Sequence, residues 1–228
     1  MILLSVDASA KSAAVAVTDG EILLAEGFEN SGFTHSETLL PLVDATLKKA
    51  GKSIDEIDAF AVTNGPGSFT GLRIGCALVK GLAGDKPCYP VPTLSALAYN
   101  CIDCEGVVIP MMDARRQQTY TATFAVQEGK ISQITEDRAI AVEQLENEIL
   151  SYLDQGKKVY VPGDGAYLLS EDVAQQVQKP AHPLILGISV AKATQNIDPV
   201  SAVELGLRYL RLSQAERERN IKLGGKEQ

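Results

Sequence analysis

A chain of 228 residues with 45% hydrophobic side chains can bury a real core, as one large domain or two small ones. Its formal net charge of -8 argues against a free-standing nucleic-acid binder, because phosphate neutralisation needs clustered Lys and Arg. Trp is absent and aromatics make up only 5%, which argues equally against aromatic stacking on exposed bases as the main activity.

Residues 2–6 read as a buried strand ending in Asp7-Ala8-Ser9. That apolar run is too short for a signal segment or a membrane span, so the expected place is the cytosol. Ala13, Val15 and Val17 alternate with smaller or polar residues, as in a second strand. Asp19-Gly20 is a hairpin turn, and residues 21–25 give a third strand. Residues 36–50 follow as a helix. Thr34 and Glu37 have capping-box spacing, Leu39, Leu40, Val43 and Leu47 form its core face, and Gly51 ends it. Pro41 lies inside this pattern and predicts a kink or a later start.

The strand-like run 59–63 leads into Gly65-Pro66-Gly67-Ser68-Phe69-Thr70-Gly71-Leu72-Arg73-Ile74-Gly75 and a helix over 72–83. Gly65 and Gly67 flank a proline, which suits a tight turn. Gly71 and Gly75 are one helical turn apart and share a face that another backbone can approach closely. A strand, a glycine loop and a helix also make a phosphate cradle. The P-loop pattern fails, however, because Leu72 and Arg73 follow Gly71. The dinucleotide fingerprint fails because position 70 is Thr70. Close packing, a partner interface and phosphate binding by loop amides are the three uses left open.

Of the four cysteines, Cys76, Cys88, Cys101 and Cys104, the last two form a Cys-x-x-Cys pair. No second pair completes a zinc site, and the pair follows a helix rather than opening one, so all four are expected as thiols. The first half then repeats. Residues 107–112 end in Asp113-Ala114-Arg115, residues 119–126 are strand-like, Glu128-Gly129 is a turn, and Lys130-Ile131 begins another strand. A helix over 142–153 and a second corner, Val161-Pro162-Gly163-Asp164-Gly165, complete the echo. Two α/β lobes are predicted, 1–104 and 105–228, enclosing a ligand cleft with Asp7 and Asp113 at matching strand ends. The charged tail 216–228 is expected to fray. There are only two histidines, His35 and His182, and neither has a metal-binding neighbour at useful spacing.

The glycine corner resembles the TsaB (YeaZ) family. So do the opening Leu4-Ser5-Val6-Asp7-Ala8-Ser9, the helix start His35-Ser36-Glu37 to Leu40-Pro41, and Asp113-Ala114-Arg115-Arg116. The resemblance covers most of the chain. It implies an actin-like (ASKHA) α/β fold of two duplicated lobes, each a three-strand meander plus helices. It further implies a non-catalytic partner of TsaD, the catalytic paralogue. With the ATPase TsaE, the two install threonylcarbamoyl on the adenosine beside the anticodon of tRNAs. Catalytic members hold a metal with two histidines, and the matching positions here are Thr93 and Leu97, so no metal and no catalytic residue are expected.

The resemblance implies a partner interface at Gly65, Gly67, Ser68, Phe69, Thr70, Gly71, Arg73, Gly75 and Val79. The same interface would serve TsaD and a homodimer. Asp7, Ser9 and Lys11, with Asp113, mark a vestigial nucleotide pocket, so ATP binding is expected to be weak at most, or confined to the complex. Contact with tRNA is expected only through the complex, and contact with membranes not at all. Two other readings stay open, a glycoprotease-like metallopeptidase and a small-molecule kinase of the actin-like superfamily.

Overall fold

In the first lobe, alternating side chains divide one sheet between two cores. The computed structural model describes residues 1–32 and 34–211, so the tail expected to fray lies outside the described residues. The strands are β1 (Ile2–Asp7), β2 (Ala13–Asp19), β3 (Ile22–Glu29), β4 (Ala59–Gly65) and β5 (Cys88–Pro92), in the order β3-β2-β1-β4-β5. β1 runs antiparallel to β2 and parallel to β4. Leu4, Val6, Phe60 and Val62 face one side, where they meet Leu39, Val43 and Leu47 of α1 (His35–Ala50) and Cys76 and Val79 of α2 (Phe69–Ala83). Leu3, Ala59 and Ala61 face the other side, against α3 (Thr93–Tyr99) and the second lobe. A sheet covered on both faces needs apolar residues at every position, which is why β1 and β4 read as continuous hydrophobic runs.

Helix α1 runs unbroken through Pro41, so the later start does not occur. It ends at Gly51, whose φ of 66° is left-handed and whose amide donates to the carbonyls of Leu47 and Lys48. The reciprocal capping box is also absent. The Thr34 hydroxyl donates to Glu37 Oε2 at 2.8 Å and makes no bond to a backbone amide.

The second lobe repeats the meander in broken form. Its elements are β6 (Gly106–Val108), β7 (Met111–Asp113), β8 (Gln118–Thr121), β9 (Phe124–Gln127), β10 (Lys130–Gln133), β11 (Arg138–Ala141), α4 (Val142–Asp154), β12 (Val159–Tyr160) and α5 (Glu171–Ala174). The two long strands expected from the sequence are each split, at Ile109-Pro110 and at Ala122-Thr123. Pro110 has no amide to continue a ladder. The Thr123 amide donates instead to Thr135 Oγ1 at 2.9 Å. One sheet, β10-β9-β6-β12, repeats the order β3-β2-β1-β4, with β12 parallel to β6 as β4 is to β1. β11, β8 and β7 form a separate small sheet. The duplication gives the actin-like architecture, two lobes facing a common cleft.

The chain then returns. Helix α6 (Gly187–Lys192) packs on β1 and β2, with the Ser5 hydroxyl donating to the Gly187 carbonyl at 2.7 Å. Val200 bridges Cys88, and Leu205 is buried in the core of the first lobe beside Val6 and Cys76. Residues 187–208, placed by sequence order in the second half, thus lie largely against the first sheet.

Candidate functional site

The glycine corner is built for close approach of backbone to backbone. Gly65 has a φ of 125°, and a Cβ there would collide with the Arg208 carbonyl. A Cβ on Gly67 would likewise collide with the Ser9 carbonyl, which accepts from the Ser68 amide at 2.7 Å. The Gly65 amide donates to Thr93 Oγ1 at 3.2 Å, and the Ser68 hydroxyl caps α2 by accepting from the Gly71 amide. Three amides of the presumptive cradle are thus bonded within the chain.

Gly71 and Gly75 do lie on one helix face, but that face turns inward. A Cβ on Gly71 would collide with the Ala8 carbonyl; one on Gly75 would sit 3.4 Å from Ala8 Cβ and 3.6 Å from Val62 Cγ2. Val79 is fully buried. This corrects the expectation that these three residues present an open surface, since the lobe's own sheet covers them. The outer face of α2 carries Thr70, Arg73, Ala77, Lys80 and Gly81, with Ile74 and Leu78 half-buried.

Phe69 and Arg73 are engaged by a strap that the sequence does not announce. Tyr209 stacks on Phe69 at 4.7 Å, and its hydroxyl oxygen accepts from Arg73 Nε at 3.0 Å. The Arg208 amide donates to the Asn64 carbonyl, and its guanidinium pairs with Asp137 Oδ2 of the second lobe at 3.2 Å. Burial pushes the Asp137 carboxyl up, and Arg208 opposes that shift. Arg211 donates to the Ala114 carbonyl. The strap therefore runs from α2 to both lobes. Its contacts join residues far apart in the chain, and no local pattern marks them.

Between the lobes is a cleft of about 540 Å³. Ser9, Lys11, Gly67, Ser68 and Phe69 line it from the first lobe, and Asp113, Arg115, Tyr120, Asp164 and Tyr167 from the second. Three of the four residues read as a vestigial pocket, Ser9, Lys11 and Asp113, thus meet at one cleft. Asp7 lies beneath it, wholly buried. Its Oδ1 accepts from Thr63 Oγ1 at 2.6 Å and from the Ser9 amide at 3.1 Å, while Oδ2 has no hydrogen-bond partner among the described residues. Burial raises the Asp7 carboxyl, and the bonds from Ser9 and Thr63 partly offset it.

Asp113 is tied down on both oxygens. Oδ1 accepts from the Arg115 amide at 2.7 Å; Oδ2 accepts from Arg115 Nη1 at 3.1 Å and from the Tyr167 hydroxyl at 2.9 Å. Asp164 accepts from the Asp113 amide, and its carboxyl is raised by burial and by the charge of Asp113. Arg115, Arg116 and Gln117 all have positive φ, 66°, 55° and 55°, a left-handed run that non-glycine residues rarely adopt. Tyr120, Tyr167 and the strap were not among the residues read as sites.

His35 Nε2 lies 2.8 Å from the Ala10 carbonyl and holds the start of α1 to the first hairpin. His182 is in a loop, where its carbonyl accepts from Asn100 at 2.9 Å. Thr93 is fully buried, and Leu97, 2% exposed, belongs to the core shared by the lobes. Among the described residues, no three His, Cys, Asp or Glu side chains converge as a metal site, and no helix is long and apolar enough to cross a membrane.

Comparison with known proteins adds to this geometry. The family described as "TsaD: tRNA N6-adenosine threonylcarbamoyltransferase" matches residues 29–222. The Bacillus subtilis tRNA threonylcarbamoyladenosine biosynthesis protein TsaB is 32% identical over 61% of this chain and 62% of its own length. The Escherichia coli protein of the same name is 31% identical over 67% of this chain and 68% of its own. The chain thus spans 62% of the first relative's length, just under two thirds. YeaZ from Pseudomonas aeruginosa superposes with a TM-score of 0.72 at 22% identity, over 92% of this chain and 99% of that one. By sequence and fold together, the chain belongs to the TsaB (YeaZ) family.

Proposed function

We propose that this chain is a non-catalytic partner subunit in the formation of threonylcarbamoyladenosine on tRNA, working by pairing with TsaD and assembling with TsaE. One observation carries the reading. The positions that the family resemblance sets against the metal-binding histidines of catalytic members are structural here: Thr93 holds the Gly65 amide and Leu97 fills the core between the lobes. A Thr hydroxyl and a Leu side chain do not replace two imidazoles on a transition metal.

The cleft supports the same reading. Three amides of the corner are taken up internally, and the second lobe sets two carboxylates, Asp113 and Asp164, in the cleft, with Asp113 pairing the Arg115 guanidinium and leaving Lys11 as the cation from the first lobe. This donor set fits a nucleotide's phosphates poorly, and the reading asks no ATP turnover of the chain alone. The outer face of α2 is the contact surface, with Ala77 and Gly81 small enough for close helix approach and Ile74 and Leu78 apolar beside them. A two-fold contact can use this patch twice, so homodimer and heterodimer compete for it. Transfer RNA is reached through the complex, since the acidic chain has weak phosphate affinity of its own.

The test is co-expression with TsaD from the same cell, followed by mass measurement of the purified complex. A heterodimer that Ala77→Arg abolishes is the expected result. No complex with TsaD, or ATP hydrolysis by the isolated chain, contradicts the reading.

A further inference from the structure

The Cys-x-x-Cys pair has no part in that reading. Cys101 and Cys104 form the turn between α3 and β6, where the chain crosses from one lobe to the other. The Cys104 amide donates to the Cys101 carbonyl at 2.9 Å. A turn closed in this way brings its outer Cα atoms within about 7 Å, the separation a disulfide bridges. The two thiols are near enough for each to influence the other's proton, and Cys104 and Tyr160 of β12 pack against the same core as Cys101. Cys101 is 1% exposed in the core shared by both lobes, whereas Cys104 is only half-buried. The other pair supplies the contrast. Cys76 and Cys88 are close enough to feel each other's charge, but they are 5% and 0% exposed, on separate elements. Only the crossing thus offers a reachable sulfur beside a buried one.

We propose that Cys101 and Cys104 are a redox-active dithiol, which a low-molecular-weight disulfide such as oxidised glutathione converts to a disulfide stapling the crossing between the lobes. Cys104 loses its proton to solvent, and its sulfur attacks the oxidant. The oxidant's S–S bond breaks, a bond to Cys104 forms, and one glutathione thiolate leaves. Cys101 then loses its proton, attacks the Cys104 sulfur and displaces the second glutathione thiolate. The protein pair gives up two electrons and two protons, and one glutathione disulfide becomes two thiols. Burial, helped by neighbouring Cys104, pushes the Cys101 thiol up to about 12, so the second step is slow at neutral pH. Its rate rises about tenfold per pH unit below that value, as the thiolate fraction does.

The test is incubation of the folded full-length chain with oxidised glutathione at pH 7 and pH 9. Alkylation in denaturant, intact mass and peptide mapping then follow. The four thiols should fall to two, with Cys101 linked to Cys104, Cys76 and Cys88 alkylated, and closure faster at pH 9. Cys104→Ser should take up no glutathione, and Cys101→Ala should stop at a mixed disulfide on Cys104. Circular dichroism checks that each variant is folded, and the wild-type outcome decides even if Cys101→Ala is not. A wild-type chain that keeps all four thiols, holds an unresolved adduct at both pH values, or links Cys76 to Cys88 overturns the proposal.

Discussion

Gly75 shows how far a single residue can be read from sequence. Its spacing from Gly71 correctly places both on one helix face, but spacing does not say which way the face turns. The packing does. The Gly75 Cα has room for one methyl, with ordinary contacts of 3.4 and 3.6 Å to Ala8 and Val62, and no room beyond them. Gly75→Ala should therefore be neutral or stabilising by up to about 1 kcal/mol, the usual helix gain over glycine. Gly75→Leu should destabilise by about 1–3 kcal/mol through overpacking. Thermal melting of the two variants checks this, and equal stability would mean the face is open.

Asp7 was legible as a strand-end acid, but its burial was not, because Thr63 and Ser9 close over it from elsewhere in the fold. Its carboxyl is raised in the folded state, so the fold favours the protonated form. The stability this contributes is complete below the ordinary value of 3.8 and is lost as pH rises through the raised folded value. At neutral pH, where the unfolded Asp is ionised, burying this carboxyl opposes folding. Asp7→Asn should therefore raise the melting temperature at pH 7 to 8, and the gain should vanish below the ordinary Asp value. A variant less stable at neutral pH would mean that the carboxylate's bonds outweigh its burial.

At the scale of elements, strands with both faces covered announce themselves as apolar runs, and those of the first lobe fall where periodicity puts them. The second lobe's strands break at Pro110 and at Thr123. The proline is visible in sequence; the bond from Thr123 to Thr135 that replaces the ladder is not. The strap is the largest element missed, since its contacts are decided only when both lobes are in place. Tyr209→Ala removes the stack on Phe69 and the acceptor for Arg73. A loss of about 0.5–1.5 kcal/mol is expected from the ring pair beyond the area it buries. Denaturant unfolding should show it, and unchanged stability would mean that the strap does not fasten α2. Ala77→Arg, on the exposed outer face of α2, should instead leave stability within about 0.5 kcal/mol.

For the whole molecule, duplication was the feature most legible in the sequence, because the turns, acids and glycine corners recur in one order. It led to two lobes and to a cleft with Asp113 on it, whereas Ser9 and Lys11, which also line the cleft, came from the family resemblance. The return of the last described segment across the first lobe was not legible, because linear order assigns it to the second half. The central claim is that the chain serves threonylcarbamoyladenosine formation as a partner and not through chemistry of its own. Nucleoside analysis of bulk tRNA from cells depleted of the chain and supplied with variants tests it most directly. The modification should fall on depletion and return with the wild type and with Asp113→Ala. It should stay absent with Ala77→Arg, although that protein is folded. Full modification with Ala77→Arg, or its loss with a folded Asp113→Ala that still pairs with TsaD, would contradict the account.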